Sequence, residues 1–262
     1  MGTEVLQRLR ATWPVSTVQA QGRAVEIVRT SGGGAGLPML WLPGAQGTAE
    51  SWCRQLLAYG DRRTMVAIQY PADDAAPALA DGIVAVADAL GLERFDLVGS
   101  SLGGYLAQWV AVRHPQRLNR VVLGNTFFDP TPTQSPERLA VLEGRSAAEI
   151  HTEVLVRLQA LPEGEFKALQ LELVGRCQAP ELMRARMLAV QRATPLPPLG
   201  VADSRLLIVE CDNDPLIPAP MRAALRSAYP GAQSVVIEGG GHYPYLLRAE
   251  AYERAVAGFL GL

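Results

Sequence analysis

The chain has 262 residues, a length that suits one α/β domain with an inserted segment and that can bury its core without disulfide bonds. Its net charge of −2, from 24 basic and 26 acidic residues, argues against nucleic acid as the main partner, which would require a basic stripe. The sequence lacks an apolar run of about 18 residues, so we expect no membrane-spanning helix.

The N-terminal segment and the cysteines indicate the compartment. Residues 1–13 carry charged side chains and lack the apolar centre of a signal peptide. Cys53, Cys177 and Cys211 form an odd, sparse set without the spacing of metal ligands. We therefore expect reduced thiols, no metal and a cytoplasmic location.

Short β-branched runs alternate with longer helical stretches, a pattern typical of a mostly parallel sheet with crossover helices. Val15–Val18 and Ala24–Thr30 predict an antiparallel hairpin at the start. Further strands are predicted at Pro38–Leu42, Thr64–Gln69, Arg94–Val98, Arg120–Leu123, Arg205–Glu210 and Ser234–Ile237. Helices are predicted over roughly 49–58 and 75–91, and from about 102 to His114, where Pro115 ends the helix.

One long stretch, between the strands that end at Leu123 and begin at Arg205, shows no strand pattern and has proline-rich borders. Apolar residues recur there at helical spacing: Ile150, Val154, Leu155 and Leu158, then Leu182, Met183, Met187 and Val190. A single crossover needs far fewer residues, so we expect a helical cap over 128–199, inserted into a core of 1–127 and 200–262. Ordinary crossover helices in series are the alternative.

The junction between strand 94–98 and the next helix reads Gly99-Ser-Ser-Leu-Gly103. A G-x-S-x-G sequence between a strand and a helix is typical of a nucleophile elbow, in which the turn raises the serine hydroxyl above the sheet. Glycine at 99 and 103 removes side chains that would collide in so tight a turn. We interpret Ser101 as the nucleophile and Ser100 as a small supporting residue. A phosphate-binding loop is disfavoured because its glycine and lysine pattern is absent.

A serine hydroxyl needs a base to take its proton, and in folds with this elbow the partners follow in the order acid, then histidine. His242 lies in a glycine-rich loop after strand 234–237, at the sheet edge where open α/β sheets bind ligands, and we interpret it as the base. The acid is left open among Glu210, Asp212 and Asp214, which follow or end strand 205–210. It would hold the imidazole tautomer and stabilise the imidazolium.

The other two histidines have different interpretations. His114 precedes a proline at the end of the elbow helix, where a histidine is a favourable structural cap. His151 lies inside the predicted cap and is a candidate for lining a pocket. Arg157, Arg184 and Arg186, also in the predicted cap, are interpreted as a solvated helix face, with contact to a substrate carboxylate as the alternative.

Nearly the whole chain resembles the capped α/β-hydrolase superfamily, and more narrowly its maspardin branch, whereas the cap itself is weakly matched. The residues that carry the resemblance are Leu42-Pro-Gly-Ala-Gln-Gly-Thr-Ala-Glu50, Ala67-Ile-Gln-Tyr-Pro71, Gly99-Ser-Ser-Leu-Gly-Gly-Tyr-Leu-Ala-Gln108, Gly124-Asn-Thr-Phe-Phe-Asp129 and Gly240-Gly-His-Tyr-Pro-Tyr-Leu-Leu247. The resemblance implies an α/β-hydrolase fold, a mostly parallel twisted sheet flanked by helices with a helical cap insertion.

The resemblance also bears on the site. Asp214 and the following Pro-Leu-Ile-Pro218 look like the pattern after the family's acid, which favours Asp214 over Asp212. An oxyanion hole needs two donors, expected from the backbone N–H groups of Leu102 and of Ala45. Ala45 takes the last place of the family's His-Gly-x sequence, in which Pro43 here replaces the histidine. The maspardin branch lacks a histidine at the position of His242. This sequence departs from the branch by having one, which favours a complete Ser101-Asp214-His242 triad here.

The sequence therefore predicts a serine hydrolase of the carboxylesterase type that cleaves a small or medium acyl ester or thioester and uses no cofactor. A non-catalytic binding or adaptor protein, as in the maspardin branch, is the alternative. Within the hydrolases, lactonase, aminopeptidase and C–C bond hydrolase activities stay open, because the fold does not choose among them.

Overall fold

The computed structural model describes residues 2–34 and 36–262, and within them eight strands form one sheet. The strands are β1 (Val15–Ala20), β2 (Arg23–Arg29), β3 (Met39–Leu42), β4 (Met65–Ile68), β5 (Phe95–Ser100), β6 (Leu118–Gly124), β7 (Leu206–Cys211) and β8 (Gln233–Ile237). Their order across the sheet is β1-β2-β4-β3-β5-β6-β7-β8. The pairs β1–β2 and β2–β4 are antiparallel and all others are parallel, which confirms the predicted sheet with an antiparallel entry hairpin.

Helices cover both faces of this sheet. They are α1 (Glu4–Thr12), α2 (Cys53–Tyr59), α3 (Ala76–Ala89), α4 (Leu102–Arg113), α5 (Pro136–Gly144), α6 (Ala147–Gln159), α7 (Glu165–Gly175), α8 (Pro180–Gln191), α9 (Ala219–Ala228), α10 (Pro244–Leu247) and α11 (Ala249–Leu260). None of the helices in the described ranges is long and apolar enough to cross a bilayer.

The central strands are buried on both faces, as expected for parallel strands between two helical layers. In β3, Leu40 and Leu42 pack into the core beneath α3, α4 and α9, whereas Met39 and Trp41 pack into the core beneath α1, α2 and α11. Successive side chains of a strand point to opposite faces, so one short apolar run supplies both cores.

Four helices, α5 to α8, lie between β6 and β7 and have a small apolar core of their own. Proline begins α5 and α8, where its missing N–H costs nothing. Ser146 caps α6 in a reciprocal pair with Glu149. The residues predicted at helical spacing lie in α6 and α8, and among them Ile150, Val154 and Met183 are buried.

The structure differs from the sequence expectation at two helices. The helix expected over 49–58 is a 3-10 turn, Ala49–Trp52, followed by α2. Helix α1 was not expected, because it is short and buries only Leu6 and Leu9. Such a helix depends on packing against α2 and the neighbouring core rather than on its own propensity.

Candidate active site

Ser101 lies between β5 and α4 with a backbone conformation of φ 55° and ψ −122°. A non-glycine residue rarely adopts a positive φ, and here the surrounding turn enforces it. A Cβ atom on Gly99 would lie 2.2 Å from the carbonyl oxygen of Gly103. A Cβ on Gly103 would lie 2.1 Å from the carbonyl oxygen of Leu42. The turn therefore requires glycine at both positions, for the steric reason that the sequence motif indicates.

Backbone contacts fix the serine in this turn. The Ser101 N–H donates to the carbonyl oxygen of Gly124 at 2.9 Å, which ties the elbow to the end of β6. The Thr126 hydroxyl donates to the Ser101 carbonyl oxygen at 2.7 Å. Leu102 is the first residue of α4, and the first N–H groups of a helix have no partner within it. An unpaired N–H next to the Ser101 hydroxyl suits a negative charge that develops there.

His242 and Asp214 contact each other directly. His242 lies between β8 and α10, is 7% exposed, and packs edge-on against the ring of Tyr243. Its Nδ1 is 2.9 Å from Oδ2 and 3.0 Å from Oδ1 of Asp214, which follows β7. When Nδ1 carries the hydrogen and donates it to the carboxylate, Nε2 is left as the basic nitrogen.

Asp214 has further donors. Its Oδ1 accepts the N–H groups of Leu216 at 2.8 Å and Ile217 at 3.1 Å, and its Oδ2 accepts the amide of Asn125 at 2.7 Å. Burial by itself would raise the pKa of Asp214, but the hydrogen bond and electrostatic attraction to His242, with the hydrogen bonds from Asn125 and Leu216, lower it below its ordinary value. The carboxylate is therefore ionised at neutral pH.

The other two candidate acids have other hydrogen-bond and ion-pair partners. Asp212 is exposed, and its Oδ1 accepts the N–H of Gly239 at 2.8 Å. Glu210 pairs with Arg226 and lies 3.8 Å from Arg222. The structure thus places Asp214, of the three, against the imidazole.

Asn125 has no role predicted from the sequence. It has φ +41°, a conformation that asparagine tolerates better than most residues. Its Nδ2 donates to Asp214 Oδ2 and, at 3.0 Å, to the carbonyl oxygen of Gly241. Asn125 therefore connects the Asp214 carboxylate to the loop that carries His242. The available signal was its place directly after Gly124 at the carboxyl end of β6.

The loop after β3 approaches the serine closely. A Cβ on Gly44 would lie 3.2 Å from Ser101 Cβ and 3.7 Å from Ser101 Oγ. Ala45 is half-buried and lines the same cavity as Ser101 and His242. The loop thus places backbone groups beside the hydroxyl.

A cavity of about 500 Å³ lies over these groups. Ser101, His242, Gly44 and Ala45 line it, at the carboxyl edge of the sheet where ligands of open α/β folds bind. Much of the wall comes from the inserted helices, and its apolar members include Leu142, Ile150, Met187 and Val190. Charged residues of the same segment also line it: Glu137, Arg138, Arg145, Glu153 and Arg157.

His114 and His151 each contact a hydrogen-bond partner elsewhere in the fold. His114 ends α4, and its Nε2 is 2.7 Å from Oδ1 of Asp81. The ring of His151 contacts the carbonyl oxygen of Val174 through Nε2 at 2.8 Å, within the inserted helices. His151 is absent from the residues that line the cavity over Ser101.

The three arginines do not share the solvated face expected for them. Arg157 is exposed but lines the cavity and pairs with Glu153. Arg184 donates to carbonyl oxygens at the end of α5. Arg186 is fully buried, so its interpretation as a solvated residue is wrong. Its partners are backbone carbonyl oxygens, which the sequence does not reveal.

The chain belongs to the Alpha/beta hydrolase family, which it matches over residues 39–256. This match confirms that the chain is a member of the α/β-hydrolase superfamily and supports a hydrolytic activity. A curated relative, pimeloyl-[acyl-carrier protein] methyl ester esterase of Neisseria meningitidis (strain H44/76), is 31% identical over 186 residues, 67% of this chain and 70% of the relative. Maspardin of Homo sapiens is 25% identical over 222 residues, 81% of this chain and 71% of maspardin.

Solved structures share the fold. A thermophilic esterase from Thermogutta terrifontis superposes with a TM-score of 0.76 at 23% identity, covering 94% of this chain and 98% of the esterase. The enol-lactonase from Burkholderia xenovorans LB400 gives a TM-score of 0.76 at 18% identity, covering 94% and 100%. At such identities the likeness concerns the architecture alone.

Proposed function

We propose that this protein is a serine hydrolase of the carboxylesterase type, which cleaves a small or medium acyl ester or thioester through an acyl-enzyme on Ser101. The observation that carries the proposal is the buried contact of 2.9 Å between His242 and Asp214, on the cavity that Ser101 also lines. A relative that is 31% identical and named a methyl ester esterase supports the choice of an ester bond.

In the proposed reaction, Ser101 Oγ attacks the carbonyl carbon while His242 Nε2 takes the hydroxyl proton. The carbonyl oxygen becomes an oxyanion, which the N–H groups of Leu102 and Ala45 stabilise. Collapse of this intermediate breaks the bond to the alcohol or thiol, which leaves with the proton from Nε2. Throughout, Asp214 holds the imidazole tautomer and stabilises the imidazolium.

The second half repeats the same steps with water. His242 removes a proton from a water molecule, whose oxygen attacks the acyl carbon of the Ser101 ester. The second intermediate releases the carboxylic acid, and Ser101 recovers its proton from the imidazolium. The chemistry requires no cofactor, and the substrate is a small-molecule ester or thioester with a small or medium acyl group.

We further propose that residues 128–199 act as a cap over the core of 1–127 and 200–262. The support is that α5, α6 and α8 supply both apolar and charged residues to the wall of the cavity above Ser101. The cap would then decide which acyl group fits.

A panel of p-nitrophenyl esters and thioesters of increasing acyl length tests the proposal. The wild-type protein should turn over at least one member, and Ser101→Ala should lower kcat by about 10⁴-fold or more. Ser100→Ala is the matched control, since the neighbouring hydroxyl has no assigned step, and it should stay within about tenfold of wild type. Equal rates for wild type and Ser101→Ala would contradict the proposal.

The alternative is a binding protein without turnover, which the similarity to maspardin keeps open. The buried His242–Asp214 pair disfavours it, because binding alone gives no reason to hold an imidazole against a carboxylate on the cavity that Ser101 lines. Lactone, amide and C–C substrates belong in the same panel. Absence of turnover on all of them, with partner binding unaffected by a Ser101/His242 double substitution, would favour the binding protein.

A further inference from the structure

Two side chains outside the α/β core hold the loop that carries Ala45. Gln178 lies between α7 and α8, and its Nε2 donates to the carbonyl oxygens of Ala45 at 3.3 Å and Gly47 at 3.2 Å. Arg186, on α8, donates through Nη1 to the same Gly47 oxygen at 2.7 Å. We call Gln178 and Arg186 the loop clamp.

The burial of the Arg186 guanidinium costs free energy. Its side chain is fully buried, and its Nη2 donates to the carbonyl oxygen of Tyr70 at 2.8 Å. Within the described residues no acidic side chain pairs with it, and its Nε has no partner. Burial lowers the pKa of Arg186 to about 10, so the group is still a cation at neutral pH. An apolar side chain of similar volume would fill this space at less cost.

The loop clamp is connected to the Ala45 N–H, the proposed oxyanion donor, through one further hydrogen bond. The Gly47 N–H donates to the Gly44 carbonyl oxygen at 3.0 Å. Gly44 C=O and Ala45 N–H belong to the same planar trans peptide and point in opposite directions. Fixing the Gly44 oxygen therefore fixes the direction of the Ala45 N–H. The clamp holds Gly47, and Gly47 holds this peptide plane.

The other end of the loop is held from the same side. The Tyr70 hydroxyl donates to the Pro43 carbonyl oxygen at 2.7 Å, and the guanidinium of Arg186 lies 5.1 Å above the Tyr70 ring. The loop is thus restrained at both ends through contacts that converge on Arg186. Loss of Arg186 would remove the shorter of the two hydrogen bonds to the Gly47 carbonyl oxygen and weaken the support of Tyr70.

We propose that Arg186 and Gln178 are positioning residues that set the direction of the Ala45 N–H, and so couple the inserted helices to the oxyanion hole. This inference rests on the proposed serine hydrolase function. Neither residue is expected to touch the substrate, since their effect passes through the loop backbone.

The test compares Arg186→Met with Arg184→Met on the best ester of the panel. Arg184 is a matched control because it lies on the same helix and also donates to backbone carbonyl oxygens, but at the end of α5. Arg186→Met should lower kcat by about 10²-fold with KM changed by less than about threefold, because a displaced donor affects the transition state. Arg184→Met should keep kcat within about threefold.

A second readout separates positioning from simple loss of stability. A trifluoromethyl ketone forms an adduct whose oxyanion occupies the hole, so its inhibition constant should rise in parallel with the loss of kcat/KM in Arg186→Met. The affinity for the product acid should stay unchanged. Equal kcat in the two methionine variants, or a change in KM alone, would overturn the proposal.

Gln178→Leu keeps the test decisive if Arg186→Met does not fold. It should likewise lower kcat and leave KM nearly unchanged.

Amide hydrogen exchange of residues 44–47 tests the clamp independently of catalysis. If wild type turns over no substrate, that result refutes only the proposed function, and the exchange rates still test the clamp. Faster exchange in Arg186→Met or Gln178→Leu than in Arg184→Met supports the clamp. Equal exchange in all three variants would overturn it.

Discussion

Asn125 joins two parts of the candidate active site that are far apart in the sequence. Its amide donates both to the Asp214 carboxylate and to the carbonyl of Gly241, directly before His242. Because the residue also has a positive φ, its side chain and its backbone contribute separately to stability. Two substitutions can distinguish these contributions.

Asn125→Gly removes the amide and keeps the backbone freedom, whereas Asn125→Ala removes both. Loss of a hydrogen bond to a buried carboxylate should lower the free energy of unfolding by about 1.5–3 kcal/mol in both variants at pH 7. Alanine should cost about 1 kcal/mol more, because φ +41° is strained for it. Urea unfolding measures both values. Variants of equal stability would show that the backbone conformation carries no strain.

The dependence on pH follows from the lowered pKa of Asp214. A carboxyl whose pKa is lower in the folded state stabilises the fold above its unfolded pKa of about 3.9, and this contribution is lost as the pH falls through the folded pKa. Asn125→Gly removes one of the bonds that lower it. The difference in unfolding free energy between wild type and Asn125→Gly should therefore be greatest near neutrality and shrink below about pH 4. A difference that is constant from neutral to acid pH would contradict this.

At the scale of elements, the elbow depends on close contact between α4 and β3. Gly103→Ala would bring a Cβ within 2.1 Å of the Leu42 carbonyl oxygen, which is backbone and cannot move aside cheaply. We expect a loss of about 3 kcal/mol in the free energy of unfolding. Gly82→Ala in α3 is the matched control, since nothing lies within 4 Å of its added Cβ. Gly82→Ala should gain about 0.5–1 kcal/mol in the free energy of unfolding. Thermal or urea unfolding measures both variants, and equal changes in stability would contradict the steric explanation.

The elbow and the alternating strands could be predicted because their physical demands act on neighbouring residues. A tight turn needs glycine at 99 and 103, and a doubly covered strand needs a continuous apolar run, so both leave a local pattern. Arg186 and Asn125 leave no such pattern, because their partners are distant in the chain and mostly backbone atoms. Helix α1 was missed since its stability comes from packing.

At the scale of the molecule, one arginine connects the N-terminal helix to both the core and the inserted helices. Arg10 on α1 donates to Glu50 through Nε at 2.6 Å and Nη2 at 3.1 Å, and to Glu172 on α7 through Nη1 at 2.9 Å. Glu50 is buried and lies in the turn that follows the loop of Ala45. The hydrogen bonds to Glu50 raise the pKa of Arg10, which is therefore a permanent cation.

Arg10→Met should lower the free energy of unfolding by about 2 kcal/mol, since it leaves the buried Glu50 carboxylate without its cation. This loss in unfolding free energy is smaller than the loss expected for a fully buried ion pair, because the Arg10 side chain is 37% exposed. Arg8→Met, an exposed position on the same helix, should stay within about 0.5 kcal/mol of wild type. Calorimetry or urea unfolding measures both, and equal losses would show that the connection through Arg10 adds no stability.

We propose that Ser101 is a nucleophile activated by His242, and a fluorophosphonate probe measures this reactivity. The probe should add once to the wild-type protein, with the modified peptide mapped to Ser101 by mass spectrometry. Ser101→Ala should stay unlabelled, Ser100→Ala should be labelled normally, and His242→Ala should react at least about 10²-fold more slowly, because the hydroxyl then lacks its base. Folded wild-type protein that stays unlabelled, or a Ser101→Ala variant that is labelled equally, would contradict the account.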